Sequence, residues 1–414
     1  MSTPVRDLST HLIHHPYLPP ADFVAPQPGV FKASTVIFPN VAAMRTREWK
    51  DKSGYTYGLH GTPTTFILEE RLCTLEGGQQ CLLVPSGLAA IANVALALLK
   101  TGDEVLIPDN AYGPNKTLAE GELKAFGITH RYYDALNPAD LVEKISPQTR
   151  LVWVEAAGSC TLEFPDLPAL VEICRAKGVI SALDNTWGAG LAFRPFDFAG
   201  VPGARYGVDI SMQALTKYPS GGGDVLMGSI ITTDVALHMR LKLTHMRLGL
   251  GVSGNDTEMV LRSLPSIALR YGAHDASTRA LAVWCTQCPE FAQVLHPALE
   301  SSPGHASWRA LCGAQDASQD AALLGRAAGL FSVMLHSRYT RDQVDLFCDS
   351  LALFKLGYSW GGPMSLVVPY ELAEMRTHWP AHLSRGHLVR FSIGLEAVAD
   401  LQADLQQALQ KAFH

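Results

Sequence analysis

Two residues that close neighbouring apolar stretches have the types needed for amine–aldehyde chemistry. Asp184 ends the apolar run 179–184 and opens the string DNTW, while Lys217 lies just past the next run, 208–213, in the string TKY. A carboxylate at the end of a buried strand is costly without a cationic partner, and a lysine there poses the same problem with the sign reversed. A direct Asp184–Lys217 ion pair would answer both needs. So would a planar nitrogen heterocycle between them, protonated against Asp184 and carrying an aldehyde that condenses with the Lys217 amine. Burial beside that cation would keep the amine available as nucleophile and later as base.

Three further places suit such a group. The run 81–84 turns through Ser86 and Gly87 into a helical stretch beginning at Leu88. A strand, a glycine turn and a helix N-terminus present free N–H groups and a positive dipole end to an anion such as a phosphate, and Ser86 adds a hydroxyl. Tyr112 lies just past the run 104–107, where an aromatic side chain either stacks on a planar ring or packs as a loop aromatic. Arg390, read as the start of a strand over 390–394, has the forked geometry that captures a carboxylate, and equally that of a surface ion pair. No metal is expected. The closest cysteine pair, Cys285 and Cys288, has only His296 and His305 nearby and reads as two helix cysteines one turn apart.

The elements that must position these residues fit a large globular chain. At 414 residues it exceeds one ordinary core, and two or three units are expected. A net charge of −6 argues against a nucleic-acid surface. The best apolar window, 88–99, contains Asn93 and is too short for a membrane span. The first twenty residues lack an apolar signal region, and the eight cysteines are dispersed, so reduced thiols and a cytoplasmic location are the expectation.

Strands are expected at 81–84, 104–107, 128–133, 151–155, 179–184, 208–213 and 225–231, with helices at 88–99, 117–126, 139–145 and 167–177 between several of them. Glycines 102, 127 and 178 sit where helix C-caps belong. Such alternation implies an α/β fold, a mostly parallel central sheet with helices on both faces, and ligands bind beyond the carboxyl ends of such strands. The proline-bearing segment 1–61 reads as an extended arm, followed by a large domain over 62–263 with a first helix near 62–75. A smaller α/β domain over 264–414 follows, with helices at 267–284 and 398–413 and strands near 329–335 and 389–393.

Eight ordered blocks resemble the Cys/Met-metabolism family of pyridoxal-5′-phosphate (PLP) enzymes, a fold-type I group: YTYGLHGTPT at 55–64, LEGG at 75–78, PSGLAA at 85–90, GDEV at 102–105, DNTW at 184–187, TKY at 216–218, YSWGG at 358–362 and RFSIG at 390–394. The resemblance implies a PLP-dependent transferase-like fold with Lys217 as the Schiff-base lysine and Asp184 as partner of the pyridinium. Tyr112 resembles the stacking tyrosine. Ser86, Gly87, Leu88 and Thr216 resemble the phosphate donors, with Asn185 beside them in the cofactor set. Arg390 resembles the arginine for the substrate carboxylate, flanked by Ser359 and Trp360. Tyr57 resembles a catalytic tyrosine that reaches in from a neighbouring subunit, implying a dimer at least and a homotetramer by family habit.

The tryptophan in YSWGG and the DNTW string are similar to those of bacterial cystathionine β-lyases. This implies cleavage of cystathionine, or of another S-substituted cysteine, to a thiol, pyruvate and ammonia in methionine biosynthesis. A methionine or cystathionine γ-lyase reaction, or an O-acetylhomoserine sulfhydrylase-type reaction, is the alternative, and a non-catalytic regulator is a more distant one. Three departures from the family pattern concern the phosphate: Leu59 stands where an arginine crosses the subunit boundary, Ala214 replaces a serine, and the segment after Lys217 (YPSGGGD) lacks a histidine. The phosphate is therefore expected to rest mainly on the turn at Ser86–Leu88.

Overall fold

The computed structural model describes residues 7–19, 21–199, 206–313 and 325–414. Of the expected arm, residues 1–6 and Pro20 lie outside these. Seven strands form the larger sheet: β1 (Gln80–Val84), β2 (Glu104–Pro108), β3 (Thr129–Tyr133), β4 (Thr149–Glu155), β5 (Ile180–Asp184), β6 (Ile210–Ala214) and β7 (Gly228–Thr232), in the order β1-β7-β6-β5-β4-β2-β3. Strands β3, β2, β4, β5 and β6 run parallel, and β7 is antiparallel to both β6 and β1. Strand β1 therefore points the same way as β6. The carboxyl ends of β1, β2, β4, β5 and β6 all meet one edge of the sheet.

Local sequence explains the crossovers. Thr62 caps the helix Pro63–Glu76 through a capping box with Thr65, and Ser86 caps Gly87–Leu98 by accepting from the Ala89 N–H at 3.0 Å. Asp166 caps Leu167–Ala176, and Gly178, at φ +67°, supplies the left-handed residue that ends the turn. The sheet is apolar on both faces. Helices Pro63–Glu76 and Leu167–Ala176 pack into one buried layer with Leu183, and Gly87–Leu98 packs into the other with Ala182 and Met212.

The expected helix at 117–126 begins earlier, as Gly113–Leu118 behind Pro114, and continues as a π-helical turn over Ala119–Leu123. The expected arm is partly helical: Asp7 caps Leu8–Ile13 and Asn40 caps Val41–Arg45. The helix Ile267–Cys285 ends before Cys288, so the two cysteines do not share it.

The second sheet comprises β8 (Phe291–Leu295), β9 (Leu330–His336), β10 (Lys355–Leu356), β11 (Leu366–Tyr370) and β12 (Gly386–Ser392), in the order β10-β11-β12-β9-β8. Arg390 does not start its strand, as the sequence suggested, but sits inside β12, paired with Val368 on one side and Ser332 on the other. The long helices Ile267–Cys285 and Val398–Phe413 cover this sheet around Phe331, Phe347 and Phe391. Among the described residues no helix is long and apolar enough to cross a membrane.

Candidate active site

A cavity opens at the carboxyl edge of the larger sheet and is closed from the other side by residues of the smaller one. Asp184 enters it from β5, Lys217 from the turn after β6, Ser86, Gly87 and Leu88 from the turn after β1, and Tyr112 from beyond β2. Trp360 and Tyr358, between β10 and β11, and Arg390, on β12, complete the wall. The approach of this segment is close: Gly361, at φ +71°, lies where a Cβ would be 2.9 Å from the Tyr218 backbone nitrogen.

Asp184 and Lys217 share the cavity but form no direct ion pair. Among the described residues the Asp184 carboxylate accepts only from Thr186, at 3.0 Å from its N–H and 2.6 Å from its hydroxyl. Burial holds its pKa above the ordinary value against those two hydrogen bonds. The Lys217 ammonium donates to Ser359 Oγ at 3.1 Å, and lies 5.6 Å from the Trp360 ring centre. Burial, together with the Arg390 charge, lowers the Lys217 pKa to about 8 despite Asp184.

At the opposite end of the cavity Gly87 touches the β6 terminus: a Cβ there would stand 2.7 Å from Ala214 Cβ. The first turn of Gly87–Leu98 thus faces the cavity with no side chain on residue 87, the Ala89 N–H being taken by Ser86 Oγ. Thr216 also lines the cavity, with its hydroxyl near the Met227 backbone.

The family model "Cys/Met metabolism PLP-dependent enzyme" matches residues 9–410. The chain belongs to the Cys/Met metabolism family of PLP-dependent enzymes. Among similar proteins of this kind, a cystathionine beta-lyase of Bordetella avium is 36% identical, covering 99% of this chain and 98% of its own length. Cystathionine beta-lyase MetC of Escherichia coli is 35% identical over 90% of this chain and 91% of its own. The crystal structure of metB from Corynebacterium glutamicum superposes with a TM-score of 0.84 at 26% identity, covering 98% of each chain.

The residues present fit the family's cofactor. Asp184 is a desolvated carboxyl that forms no ion pair among the described residues, which is the environment a pyridinium nitrogen completes. Lys217 is a desolvated amine in the same cavity, and the helix end at Gly87 is open to a phosphate.

Not every expected residue lies here. Asn185 is turned away: it is wholly buried, and its Nδ2 donates to Glu76 Oε2 at 3.2 Å. Successive side chains diverge at the end of β5, so Asp184 and Thr186 take the cavity side and Asn185 the other. Ser359 reaches the site through Lys217 Nζ. Tyr57 stands outside this cavity, 46% exposed, bridged to Thr35 and beside His60.

Glu155 is a cavity residue the sequence reading passed over. It closes β4 as Asp184 closes β5, and the two are register partners. Its Oε2 accepts from the Tyr112 N–H at 2.8 Å, which fixes the Tyr112 loop. Burial, and then the Asp184 charge, push its pKa well above the carboxylate range. The signal was an acid at the end of an apolar run, the same one that marked Asp184.

Proposed function

We propose that the protein is a carbon–sulfur lyase of the cystathionine β-lyase type, cleaving L-cystathionine to homocysteine, pyruvate and ammonia. The observation that carries this reading is the shared cavity in which Lys217, Asp184 and Arg390 converge without pairing among themselves. The names of the relatives supply the substrate class.

In this reading Lys217 holds the cofactor aldehyde and Asp184 its ring nitrogen. Tyr112 covers the ring, and Ser86, the N–H groups of Gly87 and Leu88, and the Thr216 hydroxyl hold the phosphate. When bound, PLP supplies an electron sink for the charge released at the substrate Cα. Arg390 binds the substrate α-carboxylate as a fork and fixes which Cα bond faces Lys217. Once the substrate amine has taken its place on the aldehyde, the Lys217 amine, held by Ser359 Oγ, would remove the Cα proton, and the same nitrogen would return a proton to the departing thiolate sulfur. Asp184 keeps its negative charge opposite the ring nitrogen throughout, while Glu155, next to it, stays neutral, since two adjoining buried carboxylates do not both ionise. Trp360 closes the cavity over Lys217 and limits water. The three-carbon enamine released on β-cleavage takes up water to give pyruvate and ammonia.

The segment 1–61 acts as an arm that brings Tyr57 to the cavity of a neighbouring subunit, the domains divide at 61/62 and 263/264, and the assembly is a cytoplasmic homotetramer. The exposed apolar side chains of the arm, Leu18, Phe23, Val24 and Ile37, support a partner surface there. Incubation of the PLP-loaded protein with L-cystathionine tests the reaction. Pyruvate with homocysteine is the expected product pair, and 2-oxobutyrate with cysteine would instead assign γ-cleavage.

A further inference from the structure

Arg390 is 7% exposed and is held by a carbonyl, a sulfur and two rings rather than by a carboxylate. Its Nη1 donates to the Ser159 carbonyl at 3.1 Å and lies 3.8 Å from Cys160 Sγ. Its Cζ stands 5.2 Å from the centre of the Tyr370 ring and 5.9 Å from that of Trp360. Trp360 lines the cavity, whereas Tyr370 stands behind the guanidinium, outside the lining.

The placement of Tyr370 follows from register. In the antiparallel pair β11–β12, Val368 faces Arg390 and Tyr370 faces Leu388, so Tyr370 and Arg390 are diagonal neighbours on one face. Tyr370 packs against the buried cluster that holds Cys160, and Cys160 follows Ser159, the residue whose carbonyl takes Arg390 Nη1. Leu295, Met334 and Leu388 pack the Cys160 side of this arrangement into a small buried cluster. A guanidinium over an aromatic face is attracted by the ring quadrupole, more strongly where water is excluded. With no ion pair to an acid among the described residues, the cation is available to take a carboxylate.

We infer that Tyr370 is a positioning residue: its ring, packed against the cluster around Cys160 and Leu388, holds the Arg390 guanidinium where the α-carboxylate of the amino-acid substrate must dock. The inference rests on Arg390 as the carboxylate site and concerns no other part of the reaction. Tyr370 touches neither substrate nor cofactor in this account, so its loss shows in binding and not in the proton transfers at Lys217.

The test compares Tyr370→Phe, Tyr370→Leu and Arg390→Met in the PLP-loaded full chain. With L-cystathionine, Tyr370→Leu is expected to raise KM by roughly 3- to 30-fold, the range of a desolvated cation–ring contact, with kcat changed less than about twofold. Tyr370→Phe keeps the ring over the guanidinium and is expected to stay within about threefold of the parent KM. In the Arg390→Met background, Tyr370→Leu should add nothing further, because the two act in series.

A second readout is independent of turnover: the visible-spectrum change of the bound cofactor on titration with L-alanine, whose apparent Kd should rise in Tyr370→Leu by the same factor. If the parent protein fails to cleave cystathionine while the alanine shift holds, the lyase reading falls and this one stands. If Tyr370→Leu lowers kcat at constant KM, leaves both unchanged, or adds its full effect on top of Arg390→Met, the positioning role is overturned. Should Tyr370→Leu not fold, Tyr370→Met, which refills the volume with a flexible side chain, is read by the same criteria.

Discussion

Lys217 is a base whose strength the fold sets by what surrounds it. Burial and the Arg390 guanidinium lower its pKa to about 8, with Asp184 pulling the other way. An amine attacks an aldehyde only when unprotonated, so the sign is fixed: below about pH 8 the protonated fraction dominates, and above it the nucleophile does. Reloading of cofactor-free protein with PLP should therefore accelerate as pH rises from about 7 to about 9 and then level off, as followed by stopped-flow absorbance. A rate that keeps climbing beyond about pH 10, as for an ordinary solvated lysine, would contradict the placement of Lys217 in a dry cavity next to Arg390. Asp184 and Glu155 are tuned in the other direction, both raised by burial at adjoining strand ends. A bound cation opposite Asp184 breaks that symmetry, leaving Asp184 charged and Glu155 neutral.

At the scale of elements, the proposed phosphate site lies at the junction of β1, the helix Gly87–Leu98 and β6. A Cβ on residue 87 would meet Ala214 Cβ at 2.7 Å, so Gly87→Ala must push the helix start away from β6. PLP affinity should fall by about tenfold or more, the size of one lost charge-assisted hydrogen bond, as measured by equilibrium titration of the cofactor-free protein. Ala214→Ser places a hydroxyl at the same junction and should move affinity the other way by a similar factor. Equal affinities for all three proteins would mean that the phosphate does not sit there. Much of this junction was legible in the sequence, because a strand, a Ser-Gly turn and a helix are local signals. The expected strands came within two or three residues for the same reason, while β8, β10 and β11 were not expected. What was hidden depended on partners far along the chain. The helix Val235–Leu248 buries Leu237, His238, Leu241, Lys242 and His245 at helical spacing, but three of those five are polar types that mask an apolar stripe. His387 interrupts the apolar pattern of β12, so Arg390 looked like a strand start, and its aromatic neighbour Tyr370 becomes visible only through the β11–β12 register. The antiparallel placement of β7 between β1 and β6 likewise needed the sheet order.

At the scale of the whole molecule, the proposed crossing of the arm into a neighbouring subunit is open to a direct test. Tyr57 is nearly half exposed, and its bridge to Thr35 and contact with His60 keep it outside the cavity that holds Lys217. If arms cross between subunits, each cavity is completed by the Tyr57 of another chain, and the two residues can be separated genetically. Lys217→Ala and Tyr57→Ala proteins should each be nearly inactive. Mixed by co-expression, they form hybrid pairs in which one cavity carries both substitutions and the other carries neither. Random pairing makes half of all dimers hybrids, each with one intact site of two, so activity should return to about a quarter of the parent value. If Tyr57 serves its own protomer, every cavity in the mixture keeps exactly one defect and no activity returns. Recovery therefore requires both an oligomer and a crossing arm, and its absence in an assembly shown to be mixed would confine the arm to its own chain.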